Sequence, residues 1–362
     1  MGGQASTADE GMAPMPDRSP DTDAPSATSE DAVPEDPARR GSAPDDSGHQ
    51  RLYDDSPIVG RPPVRWPGGA RVAFYVGLNV EHYRVDRPAT SIFPDTAPLV
   101  PDPLNYGWRD YGPRVGFWRV LESLDRHGVR ASVMLNSEAG QRYPAVVEAG
   151  LARDWAWVAH GRNNSTFQAG MERAEERRYL AEVVDDIERA TGRRPRGWLG
   201  PALTETFHTP ELLAEAGLGY VLDWTNDDQP YPLRVPGMLG VPYSVELNDI
   251  TLFVGGRVSG PEFVRIVRDQ LDRLVAESAT SGRVFPLALH PFVIGQAFRL
   301  RYLDEALALV AGHPDVWLTT SDEIAAHYAA HHAPQHAPQH AAHHSARQVT
   351  PPERSGRPAD AA

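Results

Sequence analysis

Three short stretches carry side chains whose types and spacing could do hydrolytic chemistry: Asn79-Val80-Glu81-His82, His160-Gly161-Arg162-Asn163-Asn164 and Leu289-His290-Pro291. A carboxylate beside an imidazole, as in Glu81-His82, can take a proton from water when its geometry and pKa suit. His160 stands four residues before Asn164; if that stretch opens a helical turn, the two side chains point the same way and could share a ligand. His290 could give a proton to a departing amine as a general acid. A serine hydrolase has less to stand on, because no strand–Gly-x-Ser-x-Gly–helix element occurs.

Composition narrows the chemistry further. The chain has 362 residues; all 35 basic residues are arginine, and neither lysine nor cysteine occurs. That excludes lysine Schiff bases, the P-loop lysine, cysteine nucleophiles and thiolate metal sites. The formal charge is −14, with no basic stripe, so nucleic acid is not an expected partner. No apolar run reaches the roughly 18 residues that a membrane span needs.

The elements that must position these residues repeat one theme. Apolar, β-rich runs at 71–78, 129–135, 155–159, 196–199, 219–222, 284–289 and 316–318 read as strands, with a less regular one at 238–247. Between them, apolar residues at helical spacing predict helices at 113–126, 144–149, 172–190, 210–216, 261–277, 303–311 and 321–328. Strands alternating with helices imply parallel β-α units, most simply a barrel of seven or eight strands. Residues 51–329 form the expected folded domain. Residues 1–50, acidic and rich in Pro, Ser and Ala, and residues 330–362, with a repeated Ala-Pro-Gln-His, lack core-forming side chains and are expected to be disordered tails.

The polar residues fall where such a barrel carries its active site. Asn79, Glu81 and His82 follow the first strand, Asn136 and Glu138 the second, and His160, Asn163 and Asn164 the third. Gly200 follows the fourth strand, Asp223 and Trp224 the fifth, and His290 the penultimate one. Any one of these could be an ordinary cap or loop residue, but together they converge on the C-terminal rim. Asn79, Asn163, Gly200, Asp223 and Trp224 are therefore expected to contact substrate, with residues 223–231 partly roofing the pocket. His127 and His208 read as helix-end residues instead.

The same residues resemble the motifs of the polysaccharide deacetylases with the NodB-type fold. The family's Thr-Phe-Asp-Asp is matched by Asn79-Val80-Glu81-His82, its His-Ser/Thr-x-x-His by His160 to Asn164, and its Arg-x-Pro-x-Gly by Arg196 to Pro201. A late Leu-x-x-His-Pro element is close to Leu287 to Pro291. The departures are similar to the branch of bacterial metal-independent allantoinases and cyclic-imide hydrolases, which has an Asp-rich loop like Asp223 to Tyr231 and a His-Pro followed by Ile-Gly, like His290 to Gly295.

This resemblance implies a deformed parallel barrel of about seven strands. It implies Glu81 as base, with His82, His160 and Asn164 in the places of the metal ligands. Asparagine is a poor zinc ligand, so the expectation is no cofactor or one divalent metal, zinc for example, weakly held. The expected activity is hydrolysis of a non-peptide carbon–nitrogen bond in a small cyclic amide or ureide. The alternatives are metal-dependent deacetylation of an N-acetylated carbohydrate and a barrel that binds small molecules or saccharides without catalysis. No secretion signal is evident, which gives a cytoplasmic expectation; homo-oligomerisation stays open.

Overall fold

Nine residues in a row, Val72–Val80, are buried, which only a strand covered on both faces can sustain. This strand, β1, is the centre of the computed structural model, which describes residues 52–86 and 93–332. The tail expected at 1–50 and most of the one expected at 330–362 lie outside the described residues.

The other strands are β2 (Ala131–Leu135), β3 (Ala156–Ala159), β4 (Gly197–Trp198), β5 (Tyr220–Val221), β6 (Tyr231–Pro232), β7 (Leu239–Gly240), β8 (Arg283–Leu289) and β9 (Val316–Leu318). Their order is β6-β7-β5-β4-β3-β2-β1-β8, and every pairing is parallel except β6 with β7. β1 is shared along its length: Val72–Phe74 pair with β9, whereas Val76–Val80 pair with β2. The result is a curled, mostly parallel sheet with helices packed on it, the deformed barrel that the sequence predicts.

The sheet does not close through a ladder. On the free side of β8, Val284 N–H donates to Asp228 O and Ala288 N–H to Leu247 O. Between them lies Pro286, which has no N–H to give. A cavity of about 840 Å³ opens here, lined by Pro286, Tyr243, Asp227 and Tyr231 among others.

The helices are α1 (Pro103–Tyr111), α2 (Phe117–Arg126), α3 (Ser137–Arg142), α4 (Pro144–Leu151), α5 (Arg173–Thr191), α6 (Thr209–Glu215), α7 (Gly260–Glu277), α8 (Pro291–Ile294), α9 (Leu300–Ala311) and α10 (Ser321–His331). In α5, Leu180, Val183, Val184 and Ile187 make one buried face. Each such side chain contributes about 1.5–3 kcal/mol by leaving water. Gly192 ends that helix at φ 68°, its N–H donating to Glu188 O.

Three expectations need correction. The irregular stretch 238–247 is a strand only at Leu239–Gly240; Pro242 cannot extend a ladder, and its carbonyl accepts the Tyr75 hydroxyl at 2.6 Å instead. α1 was not expected, because Gly107 and the polar residues around it blur the period, yet Asp102 caps it and Pro103 opens it. The folded region also runs past residue 329, since α10 reaches His331. No helix among the described residues is long and apolar enough to cross a membrane.

Candidate active site

Each parallel strand delivers the residue after it to the same rim, and β1 delivers Glu81. The Glu81 side chain is 5 % exposed. Its Oε1 lies 3.4 Å from His160 Nε2, after β3, and 3.6 Å from His290 Nε2, after β8. Its Oε2 accepts the Tyr83 hydroxyl at 2.6 Å. Three of the four residues expected to meet at the rim, Glu81, His160 and His290, are thus brought together.

Both imidazoles are held from behind. His160 Nδ1 donates to Leu199 O at 2.7 Å, which turns Nε2 toward Glu81. His290 Nδ1 lies 2.7 Å from Oδ1 of Asp249, a carboxylate with no solvent exposure. Asp249 Oδ2 accepts the backbone N–H groups of His290 at 2.8 Å and Ile294 at 3.2 Å, tying the imidazole to the start of α8. A close backbone approach locks α8 in place: a Cβ on Gly116 would fall 1.9 Å from Pro291 O, and one on Gly295 2.5 Å from the Gly116 Cα.

These contacts set the charges. Burial alone would push the Glu81 carboxyl up, but the charge of His290 and the hydrogen bonds from His160 and Tyr83 outweigh it and bring it down to about 2. For His290, burial opposes the charged ring, and the carboxylates of Asp249 and Glu81 override it, raising its pKa. A carboxyl lowered on folding stabilises above its unfolded value of 4.5 and loses that contribution as pH falls through about 2. The contribution is on the order of 3 kcal/mol. We therefore expect the stability gap between wild type and Glu81→Gln, measured by denaturant unfolding, to hold between pH 6 and about pH 5 and to narrow as pH falls toward 3. An unchanged gap would contradict this charge arrangement.

His82 and Asn164, expected beside His160 in the places of metal ligands, are each hydrogen-bonded to other partners. His82 Nδ1 is 2.9 Å from the Tyr143 hydroxyl and its Nε2 3.8 Å from Glu138, so both nitrogens are engaged elsewhere. Burial first, and the Arg142 charge next, lower the His82 pKa. Asn164 Oδ1 accepts Asn136 Nδ2 at 2.9 Å, and its Nδ2 lies 3.4 Å from the Tyr83 hydroxyl. Asn136 also accepts the His82 N–H, so these residues knit the first three strand ends together. Among the described residues there is no group of three or more His, Cys, Asp or Glu that could hold a metal ion. The donor set does not fit one.

The residues expected to touch substrate divide. Asn79 lines the Glu81 cavity, but its amide donates to the Tyr243 hydroxyl at 2.9 Å and Leu289 O at 3.2 Å. Asn163 closes a local turn, its Oδ1 accepting Ser165 N–H. Gly200 donates its N–H to Asp223 Oδ1 at 2.7 Å, and Asp223 and Trp224 line a separate cavity of about 260 Å³. The expected roof of residues 223–231 is absent from the Glu81 cavity, whose walls are Asn79, Val80, Arg109, Gly112, Pro113, Phe117, Pro291 and Phe292. That cavity is about 10 Å³, room for a single water.

Sequence reading missed Asp249, Tyr83, Tyr243 and Arg109. Arg109 comes from α1 and stacks 3.9 Å over the Tyr83 ring. The Asp102-Pro103 start signal could have revealed its helix; Asp249 had no signal, since it lies in a stretch without regular periodicity.

Residues 108–221 match the family model described as polysaccharide deacetylase, a span that includes His160 and Asn164 but neither Glu81 nor His290. A putative polysaccharide deacetylase of Schizosaccharomyces pombe is 27 % identical over 235 residues, covering 60 % of this chain and 73 % of that protein. Among solved structures, a probable polysaccharide deacetylase from Pseudomonas aeruginosa PAO1 is similar at 28 % identity and TM-score 0.67, covering 76 % of this chain and 98 % of its own. The Puue allantoinase structure is similar at 27 % identity and TM-score 0.67, covering 75 % and 95 %.

Proposed function

We propose that this chain, similar to polysaccharide deacetylases over much of its length, uses Glu81 and His290 to cleave a carbon–nitrogen bond in a small cyclic amide or ureide. The observation that carries this reading is the Glu81 carboxylate set between two imidazoles, one of them backed by a buried carboxylate. Similarity to an allantoinase over three quarters of the chain supports the substrate class.

The residues divide the work as follows. Glu81 Oε1 orients a water in the water-sized space beside it and takes its proton as the oxygen attacks the carbonyl carbon. His290, whose charged form Asp249 and Glu81 favour, gives its proton to the departing nitrogen. The two transfers support each other. A carboxyl held at about 2 is a weak base, but its affinity for a proton rises as His290 loses the charge that depresses it. Protonated donors around the carbonyl oxygen stabilise the negative charge that develops there. Substrate entry requires the Arg109, Pro113 and Phe292 wall to yield.

The test is an assay of hydantoin, allantoin and N-acetylglucosamine oligomers with and without chelator, for wild type and Asn164→His. We expect ureide hydrolysis that survives chelator and falls roughly a hundredfold in Asn164→His, because the variant loses the acceptor for Asn136 and the amide beside Tyr83. Chelator-sensitive release of acetate that rises in the variant would return the protein to metal-dependent deacetylation of carbohydrate.

A further inference from the structure

Beyond Glu81, the rim carries a second pair of carboxyl groups that the chemistry above does not use. Glu205 follows β4 through a tight loop in which Ala202 and Leu203 both adopt φ 55°. In the same loop a Cβ on Gly200 would fall 2.3 Å from Thr204 O. Left-handed conformations of non-glycine residues cost about 1–3 kcal/mol each and persist where surrounding structure enforces them. This loop carries Glu205 to Asp223, whose Oδ1 already takes Gly200 N–H.

Four buried atoms remain: Glu205 Oε1 and Oε2, Asp223 Oδ2 and Trp224 Nε1 find no well-formed hydrogen bond outside their own group, in which Glu205 lies against Asp223 and Trp224. Asp223 is only 9 % exposed. All three side chains line the cavity of about 260 Å³, whose other walls include Leu52, Leu203 and the exposed Phe207. That volume holds one ring and not a saccharide chain.

We infer that Glu205, Asp223 and Trp224 form a recognition subsite for the uncharged planar edge of an amide or ureide. The inference rests on the proposed function only for the choice of ligand class; the binding it describes stands separately. A –CO–NH– edge offers one acceptor and one donor, matching an indole N–H or carboxyl O–H on one side and a carboxyl oxygen on the other. An ammonium ion would leave the indole N–H unmet.

The protonation of the pair agrees. Burial, opposed in part by hydrogen bonds with Asp223 and Trp224, pushes Glu205 up to about 7. Burial and then the Glu205 charge push Asp223 well above its ordinary value. The pair therefore holds a proton at neutral pH. The other ionisable groups that act on it are Glu176 of α5, which accepts the Thr206 and Thr209 hydroxyls, and the phenols of Tyr231 and Tyr243.

The test is calorimetric titration of the full chain with imidazolidin-2-one, a cyclic urea that does not ionise, and with its 1,3-dimethyl derivative, which lacks N–H. We expect the parent urea to bind at pH 6, at least tenfold tighter than the methylated one, and at least tenfold more weakly at pH 9. Glu205→Gln, which keeps a donor and an acceptor but cannot ionise, should retain the pH 6 affinity at pH 9; Glu205→Leu should lose it at both. Equal binding of the two ureas, no binding of either, a pH-independent wild type, or tighter binding of methylammonium each overturns the subsite. If Glu205→Leu fails to fold, the Gln variant and the methylated probe still decide. No turnover is read, so a failed subsite leaves Glu81 untouched, and an inactive Glu81 leaves this titration interpretable.

Discussion

If the proposed hydrolysis is right, Glu81→Gln should lower kcat by roughly 10³- to 10⁴-fold on the substrate, with little change in substrate affinity. Glutamine keeps the size of the side chain and an oxygen that can accept the Tyr83 hydroxyl, so the cavity is preserved. What disappears is the negative charge between His160 and His290 and the atom that receives the water's proton. The variant should give a circular dichroism spectrum like that of wild type, so the loss is read as chemistry. Activity within tenfold of wild type would move the base elsewhere, to one of the two imidazoles.

Asp249→Asn should be the next most damaging change, costing roughly 10²- to 10⁴-fold in kcat, by analogy with other catalytic histidines deprived of a buried carboxylate partner. Asn can still accept the N–H groups of His290 and Ile294, but it no longer favours a positive ring. Because the raised His290 pKa depends on Asp249 and Glu81, the variant ring deprotonates at lower pH. The alkaline limb of the kcat/KM profile should therefore shift to lower pH. The linkage sign is the reverse of that for Glu81. A histidine raised on folding contributes stability that is complete below the unfolded value of 6.5 and is lost as pH rises through the folded value. Asp249→Asn should flatten that part of the wild-type stability profile, as followed by thermal midpoints between pH 6 and pH 9. An unmoved alkaline limb would mean that Asp249 is structural and nothing more.

Much of this site was legible because parallel strands put function at one end. Once the apolar run before Asn79 reads as a strand, Glu81 must emerge at the rim, and the same reasoning places His160 and His290. Side-chain direction was not legible in that way. His82 is adjacent to Glu81 in sequence, and alternation along an extended chain turns it to the other side, toward Tyr143 and Glu138. Asn79 and Asn163 have the chemistry of ligand contacts, but the frame uses their amides, a choice made by Tyr243 and Ser165 that no local pattern announces. Asp249 stands just before the π-helical turn Ile250–Gly255 and Glu205 lies in a loop, where no regular period fixes position. Their partners lie 41 and 18 residues away in the chain, at His290 and Asp223.

The proline at the middle of β8 bears on how such a sheet can stay unclosed without presenting a row of free donors. A strand at a boundary normally advertises a row of free donors that another chain can extend. Here the outward N–H groups on either side of position 286 are already answered by Asp228 and Leu247, and the one between them does not exist. The opening can therefore stay wide enough for a cavity of about 840 Å³ without offering a template for intermolecular strand addition.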